Sequence, residues 1–299
     1  MEHTRTITRE FETGDKAVLH VESRSGAVLV ESHALPRVHV EAVVHVWSDL
    51  TAEADEAARL VERGMEQDAH RVMLRAPSLP QTEGWSLWAG KRGSRVDYTV
   101  RVPVRTAVRV LSKSGRVQIA RTEGRVHIES GSGRCGVEDV TGDVAVIVRS
   151  GGVVIDRVRG DVMAEARSGR VDVRVVSGKA TVQSRSGVTE IRDIGGDLDV
   201  TAHTGSVLID GAHARVRARA HTGSLRYRGK VEGDIDMKAQ TGLIALAVDP
   251  ERPFYIDAES EIGNVRSDLP PRRGGGAANG TGPKVRLRTH TGAIRLTRM

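Results

Sequence analysis

The sequence predicts an all-β protein, a parallel β-solenoid built from coils of about 18 residues with one amino-terminal helix as a cap. The first observation is an internal repeat, because Ser-Gly or Thr-Gly pairs recur every 18 residues, six times in succession, from Ser114 to Thr222. The second is a period of two in the apolar residues between these pairs, which is typical of strands. The third is composition: Gly is 33 of 299 residues and aromatic residues are 3%, which favours tight corners around small branched side chains.

Each repeat places apolar residues at fixed distances from its Ser or Thr. After Ser168, for example, Val171 and Val173 follow the corner and Val176 precedes the next Gly. We expect strands of three to five residues between Gly corners. Such strands could form a hairpin meander, but a constant interval favours coils stacked in register about 4.8 Å apart, each burying its inward side chains on the next.

Residues 1–110 are predicted to form amino-terminal coils with an inserted helix and a Trp-containing loop. The helix is expected at about 51–69, where Thr51 can cap and a single face carries Ala57, Leu60, Val61 and Met65. We assign it the role of end cap, since open coil edges template aggregation. Five segments have strand-like patterns: 17–22, 27–31, 39–47, 71–76 and 95–110.

Residues 111–299 are predicted to form the 18-residue-repeat solenoid, continuous with the first part in one structural domain. A Gly-rich loop is expected at 270–283, before a last strand at 284–297. The single cysteine, Cys135, excludes a disulfide framework and a Cys-based zinc site. The first residues lack the apolar run of a signal peptide and no stretch is apolar enough to span a membrane, so we expect a cytoplasmic protein.

Several stretches resemble a known family. Residues 96–119 (VDYTVRVPVRTAVRVLSKSGRVQI), the GDV-type turns with RSG corners, and EIGNVRSDLP at 261–270 resemble the bacterial toastrack-type "putative adhesin" family, a domain of unknown function made of β-strand repeats. The resemblance covers nearly the whole chain, including the inserted helix. It implies a β-solenoid without known catalysis, often joined to membrane segments and associated with envelope-stress signalling. It supplies no catalytic or ligand residues, and this sequence shows no membrane segment.

The residues just before the Ser/Thr-Gly corners form the first candidate site. Stacked in a solenoid they would make a basic ridge, which consists of Lys113, Arg149, Arg167, Arg185, His203 and His221, with Gln240 and His290 further along. The net charge of +6 and pI of 9.8 permit anionic partners. Phosphates or sulfated sugars spaced along a polymer would suit such a ridge. The alternative is a solvated corner that binds nothing.

Other motifs receive structural interpretations. An aspartate column at Asp143, Asp161, Asp197 and Asp234 lacks the nonapeptide repeat of calcium-binding solenoids and is interpreted as turn residues. His203 and His221 could share a metal, but no third ligand accompanies them, so we predict no metal and no cofactor. The GxGxxG match at 131–136 is followed by a strand pattern, not by the helix that a dinucleotide site needs.

A second candidate contact site is the loop that contains Trp85, Trp88, Lys91 and Arg92. Aromatic residues beside basic ones can enter a partner's pocket or a membrane interface, although such a loop more often folds back on the protein. No motif of a hydrolase elbow, zinc protease or phosphate-binding loop is present, and the carboxylates are scattered. The sequence therefore predicts a non-enzymatic scaffold or adhesin-like interaction module that engages a protein or the inner membrane surface. The alternative is a binder of an anionic polymer or lipid surface; sequence-specific nucleic-acid binding is not expected.

Overall fold

The computed structural model describes residues 1–48, 50–76, 94–249, 254–269 and 282–299. Within these ranges the chain forms 17 strands and one helix. It divides into two compact units, an amino-terminal unit (Met1–Ser150) and a carboxy-terminal unit (Gly151–Met299). The predicted class, an all-β solenoid with a helical cap, is confirmed.

The elements of the amino-terminal unit are β1 (Glu2–Glu12), β2 (Lys16–Ser23), β3 (Val28–His33), β4 (Arg37–Trp47), α1 (Thr51–Arg63), β5 (Met65–Asp68), β6 (Arg71–Arg75), β7 (Arg95–Pro103), β8 (Arg105–Ala120) and β9 (Val126–Thr141). The division between the units falls within β10 (Val144–Arg159). The carboxy-terminal unit continues with β11 (Val162–Val176), β12 (Ala180–Ile194), β13 (Leu198–Ala212), β14 (Val216–Gly229), β15 (Ile235–Val248), β16 (Tyr255–Ser267) and β17 (Lys284–Arg298).

In the carboxy-terminal unit the repeat sets the register. Strands β11 to β14 pair in parallel, and each residue lies opposite the one 18 positions later, as Val171 opposite Thr189 and Thr189 opposite Val207. The final strands depart from chain order, because β15 pairs with β17 and β16 pairs with the other side of β17. The sequence of neighbours is therefore β14, β15, β17, β16.

The expected strand length of three to five residues is wrong. Most strands of the carboxy-terminal unit have 13 to 15 residues and run through the Ser/Thr-Gly pair, which bends the strand without ending it. Gly187 illustrates why the corner needs glycine: its φ is +129°, and a Cβ there would lie 1.8 Å from the carbonyl oxygen of Gly169 on the preceding strand. The corner therefore requires glycine, because the backbones of neighbouring strands are in contact there and leave no room for a Cβ.

The interior of each strand stack is aliphatic. In the carboxy-terminal unit Val173, Ile191 and Ile209 are each fully buried in successive strands, as the predicted inward column requires. Burial of a Val or Ile side chain contributes about 1.5–3 kcal/mol relative to exposure. Large buried aromatic exceptions are Tyr98 in the amino-terminal unit and Tyr227 in the carboxy-terminal unit. The Tyr227 hydroxyl donates to the carbonyl of Lys230 at 2.6 Å. Burial raises the pKa of Tyr227 to about 12.

The amino-terminal unit mixes parallel and antiparallel pairs. Parallel pairs join β2 to β6 and β8, β3 to β7 and β8, and β8 to β9. Antiparallel pairs join β1 to β4, β4 to β7, and β5 to β6. Strand β1 was not anticipated from the sequence. It places Phe11 in the core.

The helix is shorter than predicted, because it ends at Arg63 instead of residue 69. The Gly64 N–H donates to the carbonyls of Leu60 and Val61, and the Gly64 carbonyl accepts from Arg75. Residues Met65–Asp68 then form β5 against β6. Thr51 does not cap the helix; Leu50 occupies the N-cap position. The apolar face buries Ala54, Ala57 and Val61, and the helix packs against β1 and β4.

Candidate functional site

Four residues of the basic ridge lie side by side in the carboxy-terminal unit. Arg167, Arg185, His203 and His221 occupy the same position on β11, β12, β13 and β14, immediately before the corner, and all four are exposed. Their neighbours in the chain are paired across the strands, so successive ridge side chains are one strand spacing, about 4.8 Å, apart. We call this set the carboxy-terminal ridge.

The two histidines of this ridge stack on each other. Their ring centroids are 4.7 Å apart and their planes differ by 6°. Neither Arg167 nor Arg185 has an ion pair with a carboxylate in the part of the chain that the structure describes. Two guanidinium groups and two imidazole edges therefore face solvent in one continuous row.

The other two ridge residues lie in the amino-terminal unit. Lys113 is exposed on β8, and Gly131 holds the equivalent position on the neighbouring strand β9. Arg149 is exposed on β10. Arg24, which the sequence reasoning did not include, precedes the Ser25-Gly26 corner, and its carbonyl accepts from the N–H and hydroxyl of Ser114. The Ser25-Gly26 pair was the signal that could have identified it.

The aspartate column is structural where its contacts are described, as predicted. The Asp161 Oδ1 accepts from the Lys179 N–H at 2.8 Å, and Asp234 Oδ1 accepts from the Lys284 N–H at 2.8 Å. Asp197 accepts from the backbone and side chain of Arg215. Each carboxylate thus ties one turn to the next strand of the stack. Among the described residues, no three His, Cys, Asp or Glu side chains group as metal ligands would.

The GxGxxG match lies within a strand, and the Trp-containing loop lies outside the described residues. The GxGxxG match at 131–136 lies inside β9, so no helix N-terminus follows it, and Cys135 within it is buried. Burial raises the pKa of the Cys135 thiol. Trp85, Trp88, Lys91 and Arg92 lie outside the described residues, as does most of the expected loop at 270–283.

A second surface of the carboxy-terminal unit escaped the sequence reasoning. Strands β14, β15, β17 and β16 form an open groove of about 430 Å³ on their outer side. We call it the mixed-charge groove, defined by Arg219, Lys238, Gln240, Glu259, Arg288 and His290. Strand β16, which carries Glu259, precedes β17 in the chain but pairs with the side of β17 that faces away from β15. This placement brings acidic side chains of β16 beside the basic side chains of β17.

These features define the class of protein: a repeat β-solenoid whose exposed side chains stand in rows one strand apart. No protein-family model matches the chain, and no curated protein matches it. No helix in the described residues is long and apolar enough to cross a membrane.

Two solved structures are similar over nearly the full length. One is described as a "putative cell adhesion protein" from Clostridium sporogenes, with 8% identity, a TM-score of 0.26, and coverage of 99% of this chain and 100% of the other. The second is described as a "putative adhesin" from Bacteroides fragilis, with 10% identity, a TM-score of 0.35, and coverage of 99% and 97%.

Proposed function

We propose that the chain is a non-enzymatic, adhesin-like interaction module. The observation that carries this proposal is the constant register of the carboxy-terminal unit, where β11 to β14 align equivalent positions of the repeat into rows, such as the exposed row of Arg167, Arg185, His203 and His221. Rows with fixed spacing suit an extended partner that makes the same contact several times. The interior is filled with aliphatic side chains, so the outer surface is where this unit offers polar chemistry.

The first experiment asks whether ligands are bound without being consumed. The full chain is incubated with a panel of glycans and with vesicles of anionic or zwitterionic phospholipid, and both retention and ligand mass are measured. We expect retention of at least one class with the ligand mass unchanged. Release of a product would overturn the non-enzymatic assignment, and absence of retention across the panel would point to a protein partner.

A second candidate function is the binding of an anionic polymer or anionic lipid surface through the carboxy-terminal ridge. The guanidinium groups of Arg167 and Arg185, which form no ion pair within the described ranges, favour it, and the stacked His203 and His221 continue their row. We further propose a location in the cytoplasm, peripheral to the inner membrane surface, and, on the family resemblance, a link to envelope-stress signalling.

Heparin chromatography tests the ridge. The variant Arg167→Ser/Arg185→Ser is compared with Arg226→Ser/Arg228→Ser, which removes the same charge from exposed positions beyond the corner of β14. We expect the ridge variant to elute at clearly lower salt than wild type, since phosphate or sulfate contacts weaken steeply as salt rises. The control should move less. Equal shifts in both variants would show that net charge alone is responsible and would exclude a ridge site.

A further inference from the structure

The mixed-charge groove combines cationic and anionic side chains in one row of residues. Arg219, Lys238, Arg288 and Glu259 lie opposite one another on β14, β15, β17 and β16. Three cations in succession are therefore followed by a carboxylate, with about 4.8 Å between neighbouring strands. In the next row, toward the corner, Gln240 and His290 are followed by Glu261.

The cations of this row are available to a ligand. Arg219 has no ion pair among the described residues. Of the carboxylates that the structure describes, Lys238 approaches only Asp236 on its own strand, at 3.7 Å. Arg288 approaches Asp257 and Glu259 at 3.5 and 3.9 Å. The cation of each pair is about half exposed, and ion pairs at such surface positions contribute about 0–1 kcal/mol. A ligand carboxylate can replace them, and a guanidinium such as Arg219 binds carboxylates in a bidentate way.

The groove also presents hydrogen-bond acceptors beside the cations. Glu259 is 61% exposed, and Glu261 contacts His290 Nδ1 at 2.5 Å. Carboxylates would repel a ligand that offers negative charge without hydrogen-bond donors, such as polyphosphate, because nothing in it offsets the repulsion. They would accept hydrogen bonds from hydroxyl groups. The complementary ligand therefore has carboxylates and free hydroxyls together.

We propose that the mixed-charge groove binds an acidic polysaccharide. Its carboxylates would pair with Arg219 and Lys238, and its hydroxyls would donate to Glu259 and to the side-chain oxygen of Gln240. This proposal rests on the proposed function as an interaction module and names the ligand class of one of its surfaces. It differs from the ridge in its cations, because Arg219, Lys238 and Arg288 lie in another row, whereas Gln240 and His290 continue the row of His221.

The probe is a fluorescent oligogalacturonate, measured by anisotropy with the full chain in buffer without divalent cations. Its methyl ester is the matched ligand control, since it has the same backbone without the charge. Inorganic polyphosphate supplies charge without hydroxyls. The variant Arg219→Ser/Lys238→Ser should weaken oligogalacturonate binding about tenfold or more. The control Arg226→Ser/Arg228→Ser should change it less than about threefold, since its exposed positions lie outside the groove.

Glu259→Ala separates hydroxyl recognition from charge. Removal of the Glu259 carboxylate should strengthen binding of any anionic ligand that is held by charge alone, because it removes a repulsive charge. We expect it to weaken oligogalacturonate about threefold or more and to leave polyphosphate unchanged or more tightly bound. Stronger oligogalacturonate binding by Glu259→Ala, equal losses in both double variants, or tighter binding of polyphosphate, oligonucleotide or anionic vesicles would each overturn the proposal, as would no binding at all. These results would leave the interaction module itself intact if the phospholipid, glycan or ridge experiments still detect a ligand.

Discussion

The two units are built from similar corners but encode their strand neighbours differently. In the carboxy-terminal unit a residue and its neighbour on the next strand are 18 positions apart from β11 to β14. In the amino-terminal unit Val28 lies opposite Tyr98 and also opposite Val117, which are 70 and 89 positions away in the sequence. A repeat therefore specifies neighbours in one unit, whereas only the folded structure reveals them in the other.

The same type of glycine corner is therefore encoded by different sequence patterns in the two units. At Gly26 of the amino-terminal unit a Cβ would lie 2.2 Å from the carbonyl oxygen of Val96, and at Gly187 of the carboxy-terminal unit it would lie 1.8 Å from that of Gly169. Both corners require contact between backbones. The first joins chain segments 70 residues apart, and the second joins consecutive repeats.

The largest expected effect is from a Cβ at a stacked corner. Gly187→Ala should reduce the free energy of unfolding by about 4 kcal/mol, because it combines a positive φ with an overlap of backbone atoms on the preceding strand. Hydrogen exchange read by mass spectrometry would follow the loss strand by strand. We expect faster exchange first in β11 and β12.

Gly14→Ala is the matched control in the amino-terminal unit. Gly14 also has a positive φ, +74°, but nothing lies within 4 Å of the position that its Cβ would take. It should cost only about 1 kcal/mol, the price of a left-handed conformation. Similar losses for Gly187→Ala and Gly14→Ala would show that φ alone, and not contact between strands, determines the need for glycine.

The second prediction concerns carboxylates that accept backbone N–H groups from a neighbouring strand or turn. In the amino-terminal unit the Asp97 Oδ1 accepts from the Ala27 N–H at 2.7 Å, and its Oδ2 lies 3.2 Å from His45 Nε2. Asp161 in the carboxy-terminal unit performs the same task for Lys179. Asp97→Ala should cost about 2 kcal/mol and Asp161→Ala about 1 kcal/mol, since Asp97 is less exposed and also contacts His45.

Urea denaturation of the full chain measures both effects. The control variant is Asp210→Ala, which removes an exposed aspartate of β13. It should change the free energy of unfolding by less than about 0.5 kcal/mol. If Asp161→Ala behaved like Asp210→Ala, the aspartate column would not tie turns together. If Asp97→Ala were the milder of the two, the lower exposure of Asp97 and its contact with His45 would not determine the size of the loss.

Sequence reasoning predicted the parts of the molecule that the repeat specifies. The buried column of Val173, Ile191 and Ile209 follows from the 18-residue spacing, and so does the row of the carboxy-terminal ridge. Strand β1 was missed because its apolar residues are few: of its 11 residues only Phe11 is buried. The helix end at Arg63 depends on Gly64 contacting the distant Arg75, which no local pattern reports.

The mixed-charge groove could not be predicted for a related reason. Strand β16 has no Ser/Thr-Gly pair at its corner, where Ile262 precedes Gly263, so its register was hidden. Its place beyond β17 also reverses chain order. The contact of Glu259 with Arg288 arises from that reversal and not from any spacing in the sequence.

The third prediction is electrostatic and concerns opposite pH responses in the two units. In the carboxy-terminal unit His213 lies between two carboxylates, with Nδ1 3.0 Å from Glu232 and Nε2 3.0 Å from Asp193. Hydrogen bonds to Glu232 and then to Asp193 raise the pKa of His213. In the amino-terminal unit the hydrogen bond with His127 lowers the pKa of Glu129.

A histidine whose pKa is raised in the folded state stabilises the protein below its unfolded pKa of about 6.5, and this contribution disappears as the pH rises through the folded pKa. We therefore expect His213→Gln to reduce the free energy of unfolding at pH 5.5 by about 0.5 kcal/mol, a small value because the pair is half exposed, and to have no effect at pH 8.5. Glu129→Gln should behave oppositely, since a lowered carboxylate pKa stabilises above the unfolded value and the contribution is lost as the pH falls. NMR titration of the His213 ring gives the direct measurement. A His213 pKa at or below 6.5, or equal losses for His213→Gln at both pH values, would show that Glu232 and Asp193 do not stabilise the protonated ring. The two units would then not differ in the pH dependence of their stability.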